Sequence, residues 1–215
     1  MSTLDLFAEH EKQPLPLGSG AMLLQGHALP MVEALLQALE VITARSPFRH
    51  MLTPGGRRMS VALSNCGELG WYSDARGYRY TRTDPATGAP WPPLPACFLQ
   101  LAQAAAATAG FAPYAPDACL INRYLPGARL SLHQDRDERD FSAPIVSVSL
   151  GMSATFLFGG LRRSERTARV PLHHGDVVIW GGPDRLRYHG ILPLKGPAHP
   201  LLGEQRINLT FRKAG

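Results

Sequence analysis

The chain has 215 residues, 45% of them hydrophobic, a formal net charge of +5 and a mean hydropathy of -0.10. These values suit one soluble globular domain with a sizeable core, and no run approaches the 18 consecutive apolar residues that a membrane span needs. Cys66, Cys97 and Cys119 lie far apart and are odd in number, which excludes a disulfide framework and a cysteine-rich zinc site and fits a reducing cytoplasm.

The N-terminal MSTLDLFAEHEKQPLP has neither a basic segment nor an apolar one, so no signal peptide is expected. A helix is predicted from Pro30 to Ala44, with proline at its first position and Ser46-Pro47 as its stop. Two short, basic, turn-broken segments follow. Between Arg45 and Arg82 stand seven arginines against Glu68 and Asp74, an excess that accounts for the whole net charge. With Trp71, Tyr72, Tyr78 and Tyr80 interleaved, this is either a plain solvent-facing basic hairpin or a nucleic-acid surface, guanidinium for phosphate and rings for bases. The Pro-rich TDPATGAPWPPLP (83–95) reads as a loop, and a second helix is predicted from Pro95 to Ala109, ended by Gly110. From residue 117 short strands are predicted at Ala118–Tyr124, Pro144–Leu150, Ala154–Phe158, Arg169–Leu172, Asp176–Trp180, Leu186–Ile191 and Gln205–Arg212. No helix fits between them, which predicts an antiparallel sandwich or barrel.

The run LSLHQDRDERD (130–140) contains His133-x-Asp135, two side chains on the same face of an extended chain. His189 stands just past the apolar Val177-Val-Ile-Trp180. Two histidines and a carboxylate match the facial triad of non-haem Fe(II) oxygenases, although imidazole and carboxylate also recur in hydrolytic metal sites. His10, His27, His50 and His199 fall in the terminus or in turns. His173 and His174 are adjacent and point to opposite faces. The last predicted strand alternates Arg206, Asn208, Thr210 and Arg212 with Ile207, Leu209 and Phe211. That is a strand with one wet face, or an interior polar face whose two guanidiniums clamp carboxylates. Beside an Fe(II) triad the dicarboxylate would be 2-oxoglutarate, with Asn122 and Tyr124 adding hydrogen bonds.

SPFRHMLTPGGRRMSVALSNCGELGW (46–71), PDACLINRYLPGARLSLHQDRDE (116–138), FLFGGLRR (156–163), HGDVVIWGG (174–182), YHGI (188–191) and RINLTFR (206–212) together carry a far more specific signal. The chain closely resembles the AlkB family of Fe(II)/2-oxoglutarate-dependent dioxygenases that repair alkylated nucleic acid, from about Leu4 to Ala214. The resemblance implies a mostly β, α+β fold: a double-stranded β-helix, or jelly roll, with an N-terminal nucleotide-recognition lid. In a single domain 1–215, it places an extension and helix at 1–45, the lid at 46–94, and a helix with the jelly-roll catalytic core at 95–215.

Residue by residue, it implies Fe(II) on His133, Asp135 and His189 as the catalytic centre. It implies 2-oxoglutarate on Arg206 and Arg212 with Asn122, Tyr124 and Asn208, and a flipped base between Trp71 and His133. Tyr78 belongs to the lid, and Met59, Asp137 and Arg163 line the base pocket. Glu138, Arg139 and Asp140 keep the reading of solvated surface. The implied reaction is oxidative demethylation of bases such as 1-methyladenine and 3-methylcytosine, with O2 consumed, formaldehyde released and 2-oxoglutarate converted to succinate and CO2. The implied partners are alkylated DNA, single-stranded above all, with RNA as a further candidate and no membrane; a cytoplasmic monomer is expected. Two other readings stand beside it: a 2-oxoglutarate oxygenase acting on protein or small molecules, and a non-catalytic nucleic-acid-binding jelly roll. WYSDARGYRY (71–80) keeps the lid's Trp and Gly-Tyr-x-Tyr but varies between them, leaving lesion range open.

Overall fold

The computed structural model describes residues 13–215, and two facing antiparallel sheets form its centre. The reading of the N-terminal segment as free of a signal sequence, and His10, lie outside the described residues. Among the described residues a β-hairpin comes first, β1 (Leu15–Gly18) and β2 (Ala21–Leu24), before the helix α1 (Val32–Arg45). Next come β3 (Ala62–Gly67), the hairpin β4 (Gly70–Asp74) and β5 (Gly77–Thr81), and the helix α2 (Ala96–Thr108). Eight strands complete it: β6 (Ala118–Tyr124), β7 (Leu130–His133), β8 (Ile145–Gly151), β9 (Ala154–Phe158), β10 (Ala168–Leu172), β11 (Val177–Trp180), β12 (His189–Ile191) and β13 (Arg206–Arg212).

These eight divide between the sheets. The seven-stranded sheet runs β1-β2-β11-β8-β13-β6-β3 and the four-stranded sheet β10-β9-β12-β7, every pairing antiparallel. Strands 6, 8, 11 and 13 thus face strands 7, 9, 10 and 12, which is the double-stranded β-helix.

Alternation along β13 builds two cores. Ile207, Leu209 and Phe211 turn outward beneath the helices, where they meet Leu35, Leu39 and Ile42 of α1 and Phe98, Leu101, Ala102, Ala105 and Ala106 of α2. The buried helix positions recur at three- and four-residue spacing, as an apolar stripe requires. Between the sheets lies a second core, with Tyr124, Ile145, Val178 and Trp180 against Phe156, Phe158, Val170, Leu172 and Ile191. All seven β13 residues are buried, so its polar face is interior rather than wet.

The predicted strands hold: Ala118–Tyr124 and Ala154–Phe158 are unchanged, Arg169–Leu172 starts one residue earlier, Pro144–Leu150 shifts to Ile145–Gly151, and the other three are shortened at their starts. Leu186–Ile191 shortens to β12 because Leu186 turns its carbonyl to the Gln134 amide instead of a strand partner. Sequence reading missed β7, and it missed β3, which pairs with β6 in the larger sheet along its whole length. The segment 46–94 therefore supplies a core strand as well as the half-buried β4–β5 hairpin. Asn65 of β3 joins the two: its amide donates to the Trp71 carbonyl (3.0 Å) and its side-chain oxygen accepts from the Trp71 amide (2.9 Å). Gly70 must be a glycine, since a Cβ there would lie 2.3 Å from the Trp91 ring. Among the described residues no helix is long and apolar enough to cross a membrane.

Phe211 is fully buried and meets Phe98 edge to face, centroids 5.8 Å apart. Phe211→Ala should therefore cost about 3–5 kcal/mol in chemical denaturation. A loss under about 1 kcal/mol would mean that the helix layer contributes little to the sheet's stability.

Candidate metal and co-substrate site

The two triad histidines are brought together by strand register. His133 ends β7 and His189 begins β12, and they are direct cross-strand partners with rings 4.3 Å apart. Gly190 permits this approach, because a Cβ there would sit 2.6 Å from the Leu130 carbonyl oxygen of β7. Asp135 lies two residues past β7, its Oδ1 3.6 Å from His133 Nε2 and its Oδ2 3.8 Å from His189 Nε2. One ligand atom from each of the three falls within 4.8 Å of the others.

Each imidazole is turned by its own backbone. His133 Nδ1 meets the Ser131 carbonyl at 2.9 Å and His189 Nδ1 the Arg187 carbonyl at 3.0 Å. A carbonyl only accepts, so both Nδ1 atoms carry the proton and both Nε2 lone pairs face the shared point. Trp180 packs on the His189 ring with centroids 4.9 Å apart. Burial, then the neighbouring His133, holds the His189 imidazole down to about 3, so the ring stays neutral. Burial alone would raise the Asp135 carboxyl. The Arg212 guanidinium beside it, then His133 and His189, outweigh that and keep it well below the usual carboxylate range. Two neutral imidazoles and one ionised carboxylate on one side of a point are able to hold a divalent metal and leave the opposite side open.

The inner face of the larger sheet supplies the rest. Arg206 is 1% exposed; its Nη2 donates to Ser149 Oγ (2.8 Å), its plane lies over the Tyr124 ring (5.1 Å), and its Nε and Nη1 have no partner. A buried guanidinium with two unsatisfied nitrogens fits a ligand carboxylate, as 2-oxoglutarate would present. Arg212 is engaged differently: its Nε and Nη2 both donate to Asp135 Oδ2 (3.0 and 2.8 Å). Asn122 Nδ2 donates to Asn208 Oδ1 (3.3 Å), and Asn208 Nδ2 to Ser147 Oγ (2.8 Å) and the Val148 carbonyl (3.0 Å). Ser147 and Ser149 escaped sequence reading, although IVSVSLG alternates as RINLTFR does.

On the hairpin, the Trp71 and Tyr78 rings stack at 5.4 Å and 17°. Trp71 Nε1 donates to Asp137 Oδ2 at 2.8 Å, which fastens the hairpin to the loop that carries Asp135. Met59 packs against the inter-sheet core, and Arg163 is exposed, 5.9 Å over the ring of Tyr188, the neighbour of His189. Arg139 and Asp140 are exposed, as read from the sequence. Glu138 is not: it is 6% exposed, held by Tyr80, Arg185 and Arg212. Its burial needs partners from distant segments, which a charge run does not reveal.

A profile of the 2OG-Fe(II) oxygenase superfamily matches residues 14–212. The chain is 56% identical over 211 residues to the alpha-ketoglutarate-dependent dioxygenase AlkB of Salmonella typhimurium, covering 98% of each. It is 38% identical over 99 residues to the human nucleic acid dioxygenase ALKBH1, covering 46% of this chain and 25% of that one. The solved structure of OsALKBH1 superposes with a TM-score of 0.82 at 29% identity, over 94% of this chain and 100% of that one.

The neutral, buried His189 makes the metal-free fold acid-sensitive. Its imidazole titrates near 6.5 when unfolded and near 3 when folded, so between these values the unfolded chain binds the extra proton. Stability should fall as pH drops from about 6.5 towards 3, with Asp135 adding to the loss at the lower end. Denaturation of metal-free protein at stepped pH would reveal the slope, and His189→Gln should flatten its upper part; an unaltered slope in the variant would locate the proton uptake elsewhere.

Proposed function

The chain belongs to the 2OG-Fe(II) oxygenase superfamily and is an Fe(II)- and 2-oxoglutarate-dependent dioxygenase; we propose that it repairs nucleic acid by oxidatively removing alkyl groups from bases such as 1-methyladenine and 3-methylcytosine. One observation carries this reading above oxidation of a protein or small molecule. The stacked Trp71–Tyr78 pair is tied through Asp137 to the loop that holds Asp135, so a planar ring resting on the aromatic hairpin lies beside the triad. Supporting it are the similarity to AlkB and to a nucleic acid dioxygenase, and the arginine excess between Arg45 and Arg82.

In this reading His133, Asp135 and His189 hold Fe(II). Arg206 and Arg212 receive the two carboxylates of 2-oxoglutarate, with Asn122, Tyr124 and Asn208 around them. Bound there, the metal and co-substrate would supply hydroxylation of an N-methyl carbon by O2, with 2-oxoglutarate going to succinate and CO2; breaking of the N–C bond would then release that carbon as formaldehyde and restore the base. The protein's work is positional. The hairpin, with Trp71 and Tyr78, stacks the extruded base against the triad histidine His133, and Met59 and Arg163 border the pocket. Asp137 attracts the positive charge of a ring-alkylated base, and the lost pairing of such a base makes extrusion cheap. The buried walls exclude water from the reacting carbon. Single-stranded DNA is the preferred substrate, with RNA also accepted, and the enzyme acts as a cytoplasmic monomer.

The deciding experiment supplies Fe(II), ascorbate and 2-oxoglutarate with 3-methylcytosine in single-stranded DNA and follows formaldehyde and base restoration. Turnover there, abolished by His133→Ala with oligonucleotide binding still measurable, is expected. Tight binding without turnover would support a purely binding role, and oxidation of another substrate alone a different oxygenase. Arg206→Ala should raise the 2-oxoglutarate KM by about 10- to 100-fold, the loss of charge-assisted hydrogen bonds to one carboxylate. An unchanged KM would remove Arg206 from the co-substrate pocket.

A further inference from the structure

Within Leu130–Asp140 two carboxylates are buried, Asp135 and Glu138, and the function proposed above uses only the first. Glu138 lies where the hairpin, β13 and the loop after β11 converge. Its Oε1 accepts from the Tyr80 hydroxyl of β5 at 2.7 Å and faces Arg212 Nε at 3.3 Å; its Oε2 faces Arg185 Nη2 at 3.2 Å. Both guanidiniums hold Asp135. Arg212 takes its carboxylate, while Arg185, only 2% exposed, donates from Nη1 to its main-chain carbonyl (3.0 Å) and from Nε to the Ala143 carbonyl (3.1 Å). Two buried anions and two buried cations thus form one connected quartet, in which Arg185 reaches Asp135 through its main chain and Glu138 Oε2 through charge alone. Tyr80, whose hydroxyl is also 3.4 Å from Arg212 Nη1, is its contact with the hairpin.

We propose that Glu138 is a positioning residue that couples the β4–β5 hairpin to the metal centre: seated by the Tyr80 hydroxyl, its carboxylate sets Arg185 and Arg212, and these hold Asp135 in its ligating pose. Glu138 touches no triad atom and acts through the two arginines. The biological meaning rests on the hairpin being the nucleic-acid lid, but the coupling itself does not. Without the Glu138 charge, two buried guanidiniums share one carboxylate, and Arg212 draws on Asp135 alone. Without the Tyr80 hydroxyl, Oε1 loses its shortest bond and the hairpin no longer reports to the site.

Metal affinity reads this directly. Co(II) binding to the full-length protein, followed by its visible absorption without nucleic acid and without turnover, should weaken by about 10- to 100-fold in Glu138→Gln, the usual cost of losing an outer partner of a metal ligand. Tyr80→Phe, one step further out, should weaken it by roughly 3- to 10-fold, below that range. The double variant should match Glu138→Gln alone, because Tyr80 acts through Glu138. Thermal melting of each variant separates a stability effect from a site effect. Wild-type Co(II) affinity in both single variants, whatever their melting points, would overturn the proposal, and so would losses that add in the double variant. Should Glu138→Gln fail to fold, Tyr80→Phe decides alone, wild-type affinity again overturning the coupling. Because no nucleic acid is present, this outcome is independent of whether 3-methylcytosine proves to be the substrate.

Discussion

The ion pair between Asp135 and Arg212 is the constraint around which the interior is organised. A carboxylate that must face a cation from inside a closed sandwich cannot be left bare, since taking either charge out of water costs several kcal/mol before any pairing. Here Asp135 Oδ2 accepts two bonds from Arg212, and Arg212 is itself answered by Glu138. Arg185 completes the set from the backbone side. Charge neutrality is reached within the quartet, and Arg206 is left, among the described residues, as a fully buried cation with two nitrogens to spare. The interior thus joins a paired set of charges that holds Asp135 to a second buried guanidinium, Arg206, whose free nitrogens fit an incoming anion.

What could be read in the sequence followed from how local each signal is. The polar face of RINLTFR is visible because β alternation needs no knowledge of neighbours, and His133-x-Asp135 is visible for the same reason. Proline at the start, and Ser46-Pro47 and Gly110 as stops, marked both helices, whose apolar stripes cover the larger sheet. β3 was hidden because ALSNCG carries Ser64 and Asn65, which look like turn residues until Asn65 is seen pairing with the Trp71 backbone. Glu138 was hidden for a related reason. Its neighbours Asp137 and Arg139 are exposed, and only Tyr80, 58 residues earlier, and Arg185, beyond four intervening strands, make its burial tolerable. The family resemblance carried the base-pocket residues; nothing in the spacing of Trp71, Asp137 and Arg163 would have assembled them.

The two sheets contribute differently to the site. The smaller sheet provides the imidazoles, fixed by the register of β7 against β12 and by the absence of a side chain at Gly190. The larger sheet provides the polar wall of Asn122, Tyr124, Ser147, Ser149, Arg206 and Asn208, stiffened from behind by the helix layer. The triad histidines and this polar wall stand on opposite sheets, held apart by the packing of Tyr124, Phe156 and Trp180, while Asp135, in the loop after β7, bridges the gap through its pair with Arg212.

β13 comes last in chain order yet lies in the middle of its sheet, paired on one side with β8 and on the other with β6. During synthesis β6 and β8 must therefore wait, unjoined, until residues 206–212 leave the ribosome. Two of the interior arginines, Arg206 and Arg212, arrive with that strand. A chain halted before it carries His133, Asp135 and His189 but neither Arg206 nor Arg212, so Asp135 lacks the guanidinium that pairs with its carboxylate. Strand order thus ties the two halves of the larger sheet to one late strand, so its polar wall is continuous only once β13 has inserted between β6 and β8.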